Sequence, residues 1–123
     1  MLSFSLPTQV YLCLAPTDMR KSFDSLAALV RSQLGHDPLS GHLFVFRSKR
    51  QDRIKLLYWD QDGYALWTKR LERGTYQFPL AQVDADTNKL EISSTDLALI
   101  LAGIDLGSAK RRERFHAPDP NRK

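Results

Sequence analysis

Two strand-like runs, Ile54 to Trp59 and Tyr64 to Leu71, flank the tetrapeptide Asp60-Gln61-Asp62-Gly63, and this arrangement limits what the chain can fold into more than any other feature. Asp-Gly between aromatic and aliphatic runs is a strong short-range hairpin signal, because glycine tolerates the positive φ that tight hairpin turns require. A loop of two or four residues places odd positions before the turn on the same face as even positions after it. Lys55, Leu57, Trp59, Tyr64, Leu66 and Thr68 then share one face, and Ile54, Leu56, Tyr58, Ala65, Trp67 and Lys69 the other. The two tryptophans are expected on opposite sides of the hairpin.

The remaining elements follow from periodicity. Residues 9 to 14, QVYLCL, read as a strand closed by Ala15-Pro16, after which Thr17 or Asp18 can cap a helix. Met19, Phe23, Leu26, Ala27, Val30 and Leu34 recur at intervals of three and four as one apolar stripe, ended by Gly35 and the turn-forming DPLSG. His42 to Phe46 reads as a further strand, Tyr76 to Pro79 as a short extended piece, and Lys89 to Ser93 as a last strand. Thr95 to Ala102 is expected as a short helix, capped by Ser94 or Thr95 and stopped at Gly103. The fold class expected is α+β: a small, mainly antiparallel sheet with a central hairpin packed against one amphipathic helix, plus a short C-terminal helix and a basic tail. With 123 residues, of which 42% are hydrophobic, residues 1 to 107 suffice for one compact domain, and residues 108 to 123 are expected as a flexible basic arm.

Charge is concentrated rather than spread. Between Arg47 and Lys55 five basic residues (Arg47, Lys49, Arg50, Arg53, Lys55) face one acid, Asp52, a local balance of +4 that equals the formal charge of the whole chain. A localised field of this kind attracts a polyanion, whereas evenly mixed charge mainly serves solubility. Lys69 and Arg70 at the end of the hairpin's second strand and Arg73 just beyond it add further cations, and Arg111, Arg112 and Arg114 lie in the tail. All of these are candidate DNA-phosphate contacts, with a solvated basic loop as the plainer reading of the first group. Trp59, Tyr64 and Trp67 are candidate stacking or interface aromatics, and at least one tryptophan is expected in the core. Residues 81 to 105 carry five acids against Lys89 alone and are expected to stay away from DNA. Arg20 and Lys21 fall in the expected first helical turn, where the helix dipole disfavours a cation by about 0.3–1 kcal/mol each. Either Asp18 neutralises them, or they and the helix amides hold a phosphate or a partner's carboxylate.

No motif points to catalysis. His36, His42 and His116 lack metal-ligand spacing, DQDG lacks the later ligands of a calcium loop, and no serine sits in a nucleophile elbow. Neither a catalytic residue nor a metal or other cofactor is expected. Cys13 stands alone among apolar neighbours, which excludes an internal disulfide and suggests a buried side chain in a reducing compartment. No run approaches the roughly 18 apolar residues of a membrane span, and MLSFSLPTQV does not resemble a secretory leader. A soluble cytoplasmic protein without membrane contact is expected, and oligomeric state is left open.

The phrases PTDMRKSFDSLAALV (16 to 30), SGHLFVFRSKRQDRIKLLYWDQDGYALWTKRLERGTYQFP (40 to 79) and AGIDLGSAKRRERF (102 to 115) closely resemble TnpB, or Orf2, the small accessory protein of the IS-sixty-six group of bacterial insertion sequences. The resemblance implies a protein that assists DNA transposition, encoded beside a small TnpA and a larger DDE-type transposase carrying the catalytic acids. It assigns no catalytic or binding role to a particular residue of this chain. Two functions are expected from it: a non-catalytic accessory protein that binds DNA, the transposase or both, or a purely protein-binding subunit without direct DNA contact.

Overall fold

In the computed structural model, residues 9–79 and 88–103 are described. They form strands β1 (Val10–Cys13), β2 (Leu43–Arg47), β3 (Arg53–Asp60), β4 (Gly63–Arg70) and β5 (Lys89–Ile92), with helices α1 (Phe23–Ser32) and α2 (Ser94–Ala102). The sheet order is β4-β3-β2-β1-β5, and every neighbouring pair is antiparallel except β1 and β2. This is a small α+β fold. The parallel pair has a direct cause: α1 lies between β1 and β2 in sequence, and a helical crossover brings the chain back in the same direction.

The expected hairpin is present, joined by the two-residue loop Gln61-Asp62, with Asp60 paired to Gly63. Lys55 pairs with Thr68, Leu57 with Leu66 and Trp59 with Tyr64, so the expected faces hold and the tryptophans lie on opposite sides. The hairpin flanks the sheet rather than occupying its middle. β2 is the centre because β1 pairs with its other side, and all five of its residues are buried.

Side-chain alternation along β2 separates two cores. Phe44 and Phe46 join Tyr11, Cys13 and Leu57 beneath Leu26, Ala27, Val30 and Leu34 of the α1 region. Leu43 and Val45 join Val10, Leu12, Ile54, Leu56 and Tyr76 beneath Leu97 and Ile100 of α2. Each large side chain removed from water here contributes roughly 1.5–3 kcal/mol. Cys13 is buried as expected, and burial pushes its thiol pKa up.

The first helix begins later than its apolar stripe suggests. Asp18 Oδ1 accepts the Arg20 N–H at 2.9 Å, and the Lys21 N–H bonds to Asp18 O at 3.1 Å, which makes a local turn instead of a helix start. Helix α1 is entered at Ser22, whose N–H donates to Ser25 Oγ at 2.9 Å. Met19 therefore lies before the helix, and Phe23 at its start is 44% exposed rather than core. The helix ends as expected: Gly35 takes φ 65°, and the His36 N–H reaches back to Val30 O at 3.1 Å. Helix α2 is capped one residue earlier than expected, by Ser93 Oγ accepting the Asp96 N–H at 3.0 Å, and it stops at Gly103 with φ 86°. None of the helices described is long and apolar enough to cross a membrane.

Candidate nucleic-acid interface

The cationic residues divide once the strands are in register. Arg47, the last residue of β2, is only 8% exposed. Its Nε and Nη2 both donate to Leu14 O, at 2.9 and 2.6 Å, while its own carbonyl accepts the Thr17 N–H at 2.9 Å. Burial lowers its pKa, and its guanidinium clamps the end of β1. Arg47 is therefore not a surface contact; the residue expected to meet DNA holds the fold together. Charge counting in the sequence includes it because a strand's last residue reads the same whether its side chain turns inward or outward.

Lys55 also has a structural task. Its Nζ donates to Met19 O at 2.8 Å and Lys21 O at 2.7 Å, pinning residues 19 to 21 against the hairpin. Two donors of this ammonium are thus occupied by backbone, leaving one for a ligand. Arg20 and Lys21 stand ahead of α1, outside its first turn, so the dipole penalty expected for them does not arise. Arg20 grips Asp18 through Nε at 3.1 Å and Nη2 at 2.8 Å, and this holds the Asp18 carboxyl well below the usual carboxylate range. The pair is exposed, where solvent screening keeps its contribution small.

Pinning residues 19 to 21 creates two adjoining open grooves that share Met19 and Arg53. One, of ≈ 460 Å³, is lined by Met19, Arg53, Lys55, Thr68, Lys69, Arg70 and Glu72. The other, of ≈ 290 Å³, runs past Thr17, Met19, Ser48, Lys49, Arg50, Asp52 and Arg53. Lys49 and Arg50 are exposed at the tip of the β2–β3 loop. That loop is closed by several bonds: Ser48 Oγ donates to Asp52 Oδ1 at 3.1 Å and accepts the Arg53 N–H at 3.0 Å, and Gln51 O accepts the Tyr76 N–H at 2.6 Å. The basic tip is thus presented by an anchored turn. No sequence signal marked Ser48, Thr68 or Met19 as part of this surface; Ser48 preceding a polar turn is the nearest to one.

Arg53 and Arg70 are direct cross-strand partners. Like charges placed opposite one another destabilise a sheet unless an anion sits between or beside them. Glu72 is the acid at hand, with Oε1 3.4 Å from Arg70 Nη2, and both side chains are exposed. Lys69 projects from the opposite face of β4 at the groove's rim, and Arg73 is exposed in the bend after β4. Arg111, Arg112 and Arg114 lie outside the described residues.

The aromatics do not join this cluster. Trp59 and Tyr64 meet edge to face, with ring centroids 5.1 Å apart, at the turn end of the hairpin. Six residues of strand, roughly 20 Å, separate them from the Arg53–Arg70 pair. Trp67 packs on the α2-side core, as does Tyr58. The cations therefore sit at the open end of the hairpin and Trp59 and Tyr64 at its turn, with Leu57 and Leu66 between them packed on the α1 side, while Trp67 is on the other face. Among the described residues no three His, Cys, Asp or Glu side chains gather as a metal-ligand set.

Residues 8–111 match the family described as IS66 Orf2 like protein. The chain is 38% identical over 112 residues to "Uncharacterized protein y4jC" of Sinorhizobium fredii, covering 91% of this chain and 92% of that protein. A second protein of the same organism, "Uncharacterized protein y4hO", is 39% identical over 105 residues, covering 85% of this chain and 88% of the relative. No solved structure matches the chain. A family match spanning most of the sequence, with relatives similar over nearly their full lengths, shows that the chain belongs to the IS66 Orf2-like family of insertion-sequence accessory proteins.

Proposed function

We propose that the protein assists DNA transposition of its insertion sequence without catalysing a step, by holding the DNA backbone along the two grooves that meet at Arg53. The observation that carries this reading is the Arg53–Arg70 cross-strand pair, continued by Lys49 and Arg50 on an anchored loop. A polyanion relieves the repulsion such a pair builds into the sheet. Lys69 and Arg73 extend the field at the rim, and Arg111, Arg112 and Arg114 add further positive charge. Lys55 contributes charge while it holds residues 19 to 21 in place. Contacts of this type position a protein on DNA without specifying bases, and among the described residues neither helix carries a cation of the two grooves. The element's DDE-type transposase and small TnpA are the proposed protein partners, with the transposase supplying the catalytic acids. No cofactor is required for this role.

Reversing the charge of two groove residues in the variant Arg50→Glu/Arg53→Glu tests the assignment. DNA affinity should fall, and the slope of log K against log salt should become shallower by about two phosphate contacts, near 0.9 each. An unchanged affinity and slope would sink the DNA reading. A second reading, a subunit that only binds protein, is favoured by Phe23, which is 44% exposed, and by the half-buried Trp59–Tyr64 pair at the hairpin tip. Pull-down of the transposase at high salt after nuclease treatment separates the two. Survival of the complex supports direct contact, and its loss supports bridging by DNA.

A further inference from the structure

We infer that the outer edge of β4 is a self-association surface, along which two copies of this chain pair antiparallel into one continuous sheet. The inference does not depend on DNA binding.

The phase of the β3–β4 ladder comes from one bond beyond it: the Leu71 N–H donates to Asp52 O at 2.8 Å, one step past Arg53–Arg70. In an antiparallel pair the bonded positions alternate, so the odd residues of β4 bond inward to β3. Tyr64, Leu66, Thr68 and Arg70 consequently turn their N–H and C=O groups outward. Among the described residues no strand pairs with that edge. It is eight residues long, contains no proline, and its register runs from Arg53–Arg70 to Asp60–Gly63 without a bulge. The opposite edge, β5, is only four residues. A long regular edge is a template for another strand unless something blunts it.

Charge and side-chain size select the occupant and its register. Outward-bonding residues must pair with outward-bonding residues, and near-complete overlap of two β4 strands leaves two antiparallel registers. One centres Leu66 on the partner's Leu66. It sets Asp62 opposite the partner's Arg70, Gly63 opposite the partner's Lys69, and Trp67 over the partner's Ala65, a large ring against a methyl. The other places Arg70 opposite the partner's Tyr64 and leaves Asp62 without a cation. A parallel arrangement would set Lys69 and Arg70 beside their own copies, which like-charge repulsion opposes. The acid in the loop just before β4 and the cations at its end are therefore complementary only when a second copy runs antiparallel. The two-fold axis of such a dimer stands perpendicular to a sheet of ten strands, five from each copy, with both cationic grooves opening on the same side.

Sedimentation velocity over about 5 to 500 µM, combined with amide hydrogen exchange at Leu66 and Thr68, tests the proposal. A dimer and protection that rises with protein concentration are expected. Thr68→Pro, which removes an outward N–H at an exposed position and no bond to β3, should be monomeric with an unchanged circular dichroism spectrum. Asp62→Arg and Arg70→Asp should each weaken the dimer about tenfold, and the double exchange Asp62→Arg/Arg70→Asp should restore it. A monomer throughout the range would overturn the inference. So would a dimer indifferent to all of these substitutions, or protection at Leu66 and Thr68 independent of concentration, which would assign the edge to another segment of the same chain.

Discussion

Arg47 and Arg50 show how little a residue's type says about its task. Both lie in the same basic run, yet one is buried with its guanidinium forked onto Leu14 O and the other is exposed at a loop tip. Hydrogen bonds to a buried charged group contribute about 1.5–3 kcal/mol each, and their loss leaves the Leu14 carbonyl without these donors. Arg47→Ala is therefore expected to lower the free energy of unfolding by about 2–3 kcal/mol, while Arg50→Ala stays within about 0.5 kcal/mol. Urea denaturation with matched m-values checks both. The DNA affinity of still-folded Arg47→Ala should remain near wild type, whereas Arg50→Ala weakens it. What made Arg47 illegible was its partner: a carbonyl 33 residues earlier, brought close only when β1 and β2 pair.

At the level of elements, the hairpin was legible in its faces but not in its turn chemistry. The parity of the loop determines which side chains share a face, and a loop centred on either Asp62-Gly63 or Gln61-Asp62 keeps that parity. Observed is the latter, with Gln61 at φ 57° and Gly63 already paired in β4 outside the positive-φ region. The glycine that signals the turn does not supply its unusual backbone conformation; a glutamine does. Gln61→Gly should stabilise the protein by about 0.5–1 kcal/mol, the relief of left-handed strain less the added freedom of the unfolded chain. Gly63→Ala meets no atom within 4 Å and should change stability by less than about 0.5 kcal/mol. Thermal melts of the two variants compare them directly, and the opposite ranking would mean the turn is centred on Asp62-Gly63. The start of α1 departs from its apolar pattern for a related reason. Its stripe of apolar residues continues through Met19 and Phe23, but the Asp18 turn and the Lys55 clamp take up the backbone groups that a longer helix would use.

On the scale of the whole molecule, one buried strand joins two cores, since β2 gives Phe44 and Phe46 to the α1 side and Leu43 and Val45 to the α2 side. Damage on either face should therefore be felt on both. Phe44→Ala is expected to cost about 3–5 kcal/mol. The tryptophans provide the readout: Trp59 reports the α1 face and Trp67 the α2 face. In Trp59→Phe and Trp67→Phe backgrounds the fluorescence transitions should coincide, and should shift together when Phe44→Ala is added. Separate transitions would show that the two layers unfold independently. The sequence by itself determined what depends on neighbours a few residues apart: the existence of the strands and helices, the two faces of the hairpin, the burial of Cys13, and the family, carried by uncommon phrases in a fixed order. Tertiary structure alone decided the rest, because it depends on contacts between distant segments. It paired β1 parallel with β2 and moved the hairpin to the flank. It also buried Arg47, turned Lys55 into a clamp, and brought Arg53 face to face with Arg70 while Trp67 packed on the opposite face. Local sequence specifies which way a side chain alternates; only the assembled sheet specifies what lies opposite it.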